Sequence, residues 1–179
     1  VKTLTLLRHA KSGWDDPVAR DYDRPLNLKG RRAAAAMGRH VQSLGLDFDR
    51  VIASPAARVQ ETVTEVEGGL ARALSPEWDR RLYLASAATL LDVVHETGGD
   101  TRSLLLIGHN PGLEELTMLL VPDDAGGLRE AVAQKYPTAT LAEMTFDTDD
   151  WRDVATGRAT LRRFIRPRDV DPTLGPDAD

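Results

Sequence analysis

The chain has 179 residues, 41% of them hydrophobic and 28% charged, values that fit one globular domain able to bury a core of its own. A formal net charge of −5 argues against general binding to nucleic acid or to an anionic membrane. Any attraction for phosphate has to come from a local basic cluster. Cysteine is absent, which excludes disulfides, thiolate metal sites and the cysteine-based phosphatases. The sequence does not open with the basic-then-apolar layout of a signal peptide, and no apolar run reaches membrane-spanning length, so the expected location is the cytoplasm.

Leu4 to Leu7 form an apolar run that ends abruptly in Arg8-His9-Ala10-Lys11-Ser12. Such a run reads as a strand buried on both faces, with a cation and an imidazole just past its carboxyl end, where open α/β sheets bind ligands. The polar stretch Gly13 to Asn27, fifteen residues long, contains Trp14, Asp15, Asp16, Asp21, Asp23 and Arg24. That is long for a plain connection and favours a functional loop. Asn27 is placed to cap a helix whose apolar stripe runs Ala33, Ala36, Met37, His40, Val41 and Leu44, with Gly45 as its stop. His40 reads as a core or boundary residue.

A short strand, Arg50 to Ala53, leads to Ser54-Pro55-Ala56-Ala57-Arg58. Ser54 suits an N-cap and Pro55 the first helical position, which puts Arg58 in the first turn. A cation there opposes the helix dipole unless an anion visits. The helix is expected to reach about Glu67, with Gly68-Gly69 ending it, and Ser86 caps a further helix in which His95 complements the C-terminal dipole. Ser103 to Ile107 is the third apolar strand, followed by Gly108-His109-Asn110-Pro111-Gly112 and a helix Leu113 to Val121. After a short helix, Leu128 to Lys135, the segments Ala139 to Phe146 and Arg158 to Ile165 read as an edge hairpin with one wet face. The expected fold class is α/β: a single-domain three-layer α/β/α sandwich with a mostly parallel sheet and an antiparallel edge hairpin. The domain is expected over residues 1–168, with an acidic, disordered tail over 169–179.

If the three strands are parallel neighbours, Arg8, His9, Arg58 and His109 converge at one sheet edge. Guanidiniums offer paired donors to phosphate oxygens, and histidines can act as nucleophile and electrostatic partner. The chemistry indicated is phosphoryl transfer through a phosphohistidine. Leu7-Arg8-His9-Ala10-Lys11-Ser12 resembles the RHG signature of the histidine phosphatase superfamily. Ser54 to Thr62 is similar to its S-x-x-x-R-x-x-x-T segment, and Gly108-His109-Asn110-Pro111-Gly112 to its second-histidine segment. With Asp23-Arg24-Pro25-Leu26, the set is most similar to the small SixA-type phosphohistidine phosphatases, over residues 3–168.

The resemblance implies a phosphoglycerate-mutase-like fold, His9 as nucleophile, and Arg8, Arg58 and His109 as holders of the phosphoryl oxygens. Ser12, Asn110 and Trp14 are further candidates for substrate contact. Neither metal nor other cofactor is implied, and the expected partner is a phosphorylated substrate, a phosphohistidine protein foremost. Larger family members carry a glutamate acid between the second Arg and the second His, but the corresponding Arg81 to Ser86 contains no carboxylate. That favours leaving groups needing little protonation, with Asp15, Asp16, Asp21 and Asp23 as possible substitutes. Rival readings are a broad small-molecule phosphomonoesterase, a phosphoglycerate-mutase-like enzyme, and a phosphate-sensing module with little turnover. Asp47-Phe48-Asp49 precedes a strand instead of ending one, which speaks against an aspartyl-phosphate enzyme, and no zinc or Walker spacing occurs.

Overall fold

The computed structural model describes residues 1–13, 20–123 and 126–175. Six strands, β1 (Lys2–Arg8), β2 (Arg50–Ala53), β3 (Glu77–Trp78), β4 (Ser103–Gly108), β5 (Leu141–Phe146) and β6 (Thr160–Ile165), form one sheet in the order β3-β2-β4-β1-β5-β6. The first four pair in parallel, while β5 joins β1 and β6 antiparallel. The expected mixed α/β sheet with an antiparallel edge hairpin is thus what the chain forms.

Alternation along β1 and β4 accounts for the apolar residues that dominate their centres, because successive side chains point to opposite faces and both faces are covered. Leu4, Leu6, Leu104 and Leu106 enter one core with α3 (Ala87–His95), α4 (Gly112–Leu120) and α5 (Gly127–Gln134). Leu7, Leu105 and Ile107 enter the other, beneath α1 (Leu28–Leu44) and α2 (Ala57–Leu70). Among the described residues no helix is long and apolar enough to cross a membrane.

Several local expectations hold. Asn27 caps α1 by accepting from Gly30 N–H, Gly45 ends it at φ 68°, and Ser86 caps α3. His40 lies at the half-buried margin of α1, and His95 closes α3 with a ring nitrogen 2.7 Å from the Val154 carbonyl.

Others are corrected. Gly68 and Gly69 do not stop α2, which continues to Leu70 and ends at Ala71 in the left-handed region. Gly69 instead allows α1 and α2 to touch, since a Cβ there would lie 2.2 Å from the Ala35 carbonyl oxygen. The wet face expected of the edge hairpin is present in β6, where Thr160 and Arg162 are exposed and Leu161 and Phe164 buried, but not in β5. Glu143 is buried and paired with Arg163. In the connection between β5 and β6, Trp151 is fully buried and donates its indole N–H to the Thr101 carbonyl. The tail expected to be disordered from residue 169 is folded as far as Gly175. The short helix α6 (Pro167–Val170) and the 3-10 turn Pro172–Leu174 are built there, because Leu174 has an apolar partner in the α1/α2 core that its sequence context does not announce.

Candidate active site

Parallel pairing brings the strand ends together. Arg8 is in register with Gly108, His9 N–H donates to the Gly108 carbonyl at 3.0 Å, and Ser54 N–H donates to the Ile107 carbonyl at 3.0 Å. The residues just past β1, β2 and β4 therefore sit side by side at the carboxyl edge, where a doubly wound sheet opens a crevice. There Arg8, His9, Arg58 and His109 line one cavity of about 470 Å³.

His9 is buried, and its Nδ1 lies 2.7 Å from the Ala10 carbonyl. The carbonyl can only accept, so Nδ1 carries the proton and Nε2 keeps its lone pair. The turn that holds the ring is itself clamped to α2. Ala10 N–H donates to Thr62 Oγ1, whose hydroxyl donates to the Arg58 carbonyl. Thr62, the last residue of the S-x-x-x-R-x-x-x-T segment, thus links the nucleophile candidate to the helix bearing Arg58. Burial, and then the proximity of His109, Arg8 and Arg58, hold the His9 pKa well below the usual histidine value against the pull of the Ala10 carbonyl.

The His109 ring stands 5.2 Å from that of His9 and 5.4 Å from that of Tyr83. Burial first, then Arg58, Arg8 and Arg24, take the His109 pKa down to about 3 despite the opposing carboxylate of Asp21. Its Nε2 lies 2.8 Å from Ser54 Oγ, while Nδ1 is buried without a protein partner among the described residues. Ser54 is therefore not the cap of α2, whose N-cap is Ala56. The Ser54 hydroxyl accepts from Ala56 N–H at 3.3 Å and holds His109.

Arg8 donates to the Tyr136 carbonyl, which also receives the Asn110 amide. Arg58 lies in the first turn of α2 and is 2% exposed. Both its terminal nitrogens reach Asp21, Nη1 donating to the backbone carbonyl at 2.7 Å and Nη2 to Oδ2 at 3.1 Å, while the buried Nε has no partner among the described residues. Tyr83 donates its hydroxyl to the same Oδ2 at 2.6 Å, and Arg24 reaches Oδ1. Partial burial would raise the Asp21 pKa, but Tyr83, Arg58 and Arg24 outweigh it and leave that carboxyl below the ordinary value.

Of the remaining sequence candidates, Ser12 lines the cavity and bridges to Leu26. Asn110 lines it too, with its side-chain oxygen accepting from Glu114 N–H and its amide on Tyr136, so it braces the loop before α4. Asp23 points away to an exposed pair with Arg20. Trp14, Asp15 and Asp16 lie outside the described residues. Sequence reasoning missed Tyr83, Tyr136 and Thr138, the last of which also lines the cavity. Only Tyr83 had a signal, as the polar side chain in the stretch where an acid was sought.

A buried cationic pocket around a neutral imidazole with a free lone pair is equipped to bind a phosphoryl group and to take it in line. The class this fold and pocket define is that of the histidine phosphatases. A model of the histidine phosphatase superfamily (branch 1) matches residues 4–83. The uncharacterized protein Rv1276c of Mycobacterium tuberculosis is 32% identical over 164 residues, spanning 90% of this chain and all of the relative. Among solved structures, a candidate phosphohistidine phosphatase SixA from Agrobacterium tumefaciens superposes with a TM-score of 0.79 at 26% identity, covering 93% of this chain and 98% of its own. Another, from Nakamurella multipartitia, also scores 0.79, at 28% identity over 93% and 96%. The chain belongs to the histidine phosphatase superfamily and is a phosphatase.

Proposed function

We propose that the protein removes phosphate from protein phosphohistidine through a covalent phosphohistidine formed on His9. The observation that carries this reading is the hydrogen bond from His9 Nδ1 to the Ala10 carbonyl, which leaves Nε2 unprotonated inside a cationic pocket. Nε2 attacks phosphorus in line. The bond from phosphorus to the substrate imidazole breaks, and that imidazole takes up a proton from solvent. Arg8, Arg58 and the His109 Nδ1–H hold the equatorial oxygens as charge redistributes. Water then attacks the phosphorus of phospho-His9, releasing phosphate and restoring the imidazole.

The choice of phosphohistidine rests on the leaving group. The only described carboxylate lining the cavity, Asp21, is held ionised by Arg58 and Tyr83 and is a poor proton donor. An imidazole leaves a P–N bond without strong acid assistance, whereas an alkoxide does not. The likeness to structures presented as candidate phosphohistidine phosphatases supports the same choice.

The test combines trapping with comparison of substrates. Brief exposure to a radiolabelled phosphohistidine peptide should leave acid-labile, base-stable label on His9, and His9→Ala should carry none and lose turnover. The kcat/KM for that peptide should exceed those for 3-phosphoglycerate and glucose 6-phosphate. Higher efficiency on the phosphoesters would move the assignment to a small-molecule phosphomonoesterase. Binding of the peptide without turnover by the wild type would make the protein a phosphate-sensing module.

A further inference from the structure

The cavity that holds His9 is polar almost throughout. Among the described residues that line it, Leu84 alone has an apolar side chain. The others present cations, imidazoles, a carboxylate, an amide and hydroxyls. Leu84 is 55% exposed and belongs to neither hydrophobic core, although Leu82, Tyr83 and Ala85 around it each pack into one or the other.

Its backbone is strained as well. Leu84 sits at φ 50°, in the left-handed region that a bulky L-residue avoids. Among the described residues the other non-glycines found there, Ala71, Ser75 and Ala139, are all smaller. The strain is imposed from both sides. Tyr83 is tied by its N–H to the Arg80 carbonyl and by its hydroxyl to Asp21 Oδ2 at 2.6 Å. The Ala85 carbonyl lies against Gly112 at the start of α4, where a Cβ would come within 2.1 Å of its oxygen, and Ser86 caps α3. Leu84 bridges two fixed points, and glycine or asparagine would meet the same backbone with less strain. The leucine thus adds neither core packing nor an easy turn. A strained residue held at the rim of a substrate cavity points to a role in what the cavity binds.

We propose that Leu84 is a specificity residue for the leaving group, its side chain packing against the flat face of the substrate imidazole while the phosphoryl group lies against His9. A histidine ring has an apolar body and polar tips, so its face and Leu84 leave water together. The hydroxyl-rich leaving group of a sugar phosphate or a phosphoglycerate would lose water to a side chain that returns no hydrogen bond. Leu84 therefore sorts substrates by the shape and polarity of what departs, whereas Arg8, Arg58 and His109 read the phosphoryl group that all of them share. This deepens the phosphohistidine reading and rests on it.

The experiment compares two pairs of phosphodonors, each with one member that carries a ring and one that does not. Phosphohistidine, as the free amino acid, is set against phosphoramidate, both with a P–N bond. The second pair is p-nitrophenyl phosphate and acetyl phosphate, both with leaving groups that need no acid. In the wild type kcat/KM should favour the ring-bearing member of each pair. Leu84→Asn, which suits the left-handed backbone, should cut that preference about fivefold, the effect of losing part of a leucine contact. Inhibition by inorganic phosphate, which has no leaving group, should not change with it. Leu84→Met keeps an apolar side chain and should restore most of the preference. A wild type without the preference, or a Leu84→Asn variant that retains it, overturns the proposal. So does a weakening of phosphate inhibition as large as the loss of preference, which would make Leu84 a support for Tyr83 and Asp21. If neither P–N donor is hydrolysed while Leu84→Asn still loses the preference for p-nitrophenyl phosphate, the phosphohistidine reading fails and the ring contact at Leu84 stands.

Discussion

The carboxylate of Asp21 lies across the guanidinium of Arg58, with Oδ2 3.1 Å from Nη2 and the Asp21 carbonyl 2.7 Å from Nη1. Arg58 is buried and Asp21 is 37% exposed, so the pair is a buried cation covered by an anion partly open to solvent. An arriving phosphoryl group competes with Asp21 for that guanidinium. Asp21→Asn keeps an acceptor for Tyr83 but removes the competing charge. Inorganic phosphate and tungstate should then inhibit about three- to tenfold more tightly, corresponding to roughly 1 kcal/mol for a pair partly open to solvent. Unchanged or weaker inhibition constants would mean that Asp21 positions Arg58 and does not compete for it.

Stability should fall as the solution is acidified. His9 and His109 are buried with lowered pKa values, so they stay neutral in the folded chain at pH values where unfolded histidines, with an ordinary value near 6.5, take up protons. Below about pH 6.5 the unfolded state binds more protons, and folding loses roughly 1.4 kcal/mol per pH unit for each histidine. Urea midpoints at pH 7.5, 6.0 and 5.0 measure this. His109→Asn should remove about half of the slope between pH 6.0 and 5.0, and a slope unaffected by that substitution would count against burial of the neutral ring.

Ser54 sets the proton on His109. With its oxygen already accepting from Ala56 N–H, the hydroxyl can give its own proton to Nε2, which leaves Nδ1–H facing the cavity. Ser54→Ala frees the ring to change tautomer, and kcat should drop about tenfold, the loss of a hydrogen bond of about 1–1.5 kcal/mol. Ser54→Thr should restore most of it. Equal losses in both variants would point to packing.

Gly69→Ala tests the contact between α1 and α2 on the side that carries Arg58. The new methyl would meet the Ala35 carbonyl at 2.2 Å, a backbone atom that only a shift of the whole helix could relieve. Overpacking of this kind costs about 1–3 kcal/mol, which for a chain of this size lowers Tm by roughly 2–12 °C. Gly68→Ala, one residue away with open space around it, should be neutral or mildly stabilising in the same thermal scan.

The strands and the four charged or imidazole residues at their ends were legible in the sequence. Apolar runs with both faces buried, Leu4 to Leu7 and Leu104 to Ile107, break off where the chain leaves the sheet, and the next residues must lie at its carboxyl edge. Asn27 and Gly45 were equally plain, because capping depends on residues a few positions apart. Residues whose role depends on a distant partner were not legible. Gly68-Gly69 read as a stop signal until α1 was packed against them, and Ser54 read as a cap until His109 arrived beside it.

By itself, then, the sequence determined which residues meet at the sheet edge and what class of chemistry they offer, since strand period and local turns are short-range properties. Tertiary structure alone decided how the groups are tuned. It set the tautomer of His9, the anchoring of His109 by Ser54, the cover of Asp21 over Arg58 and the folding of the segment up to Gly175. Each of these is a contact between elements far apart in the chain. Burial and hydrogen-bond geometry, which fix pKa and orientation, exist only once those elements are packed together.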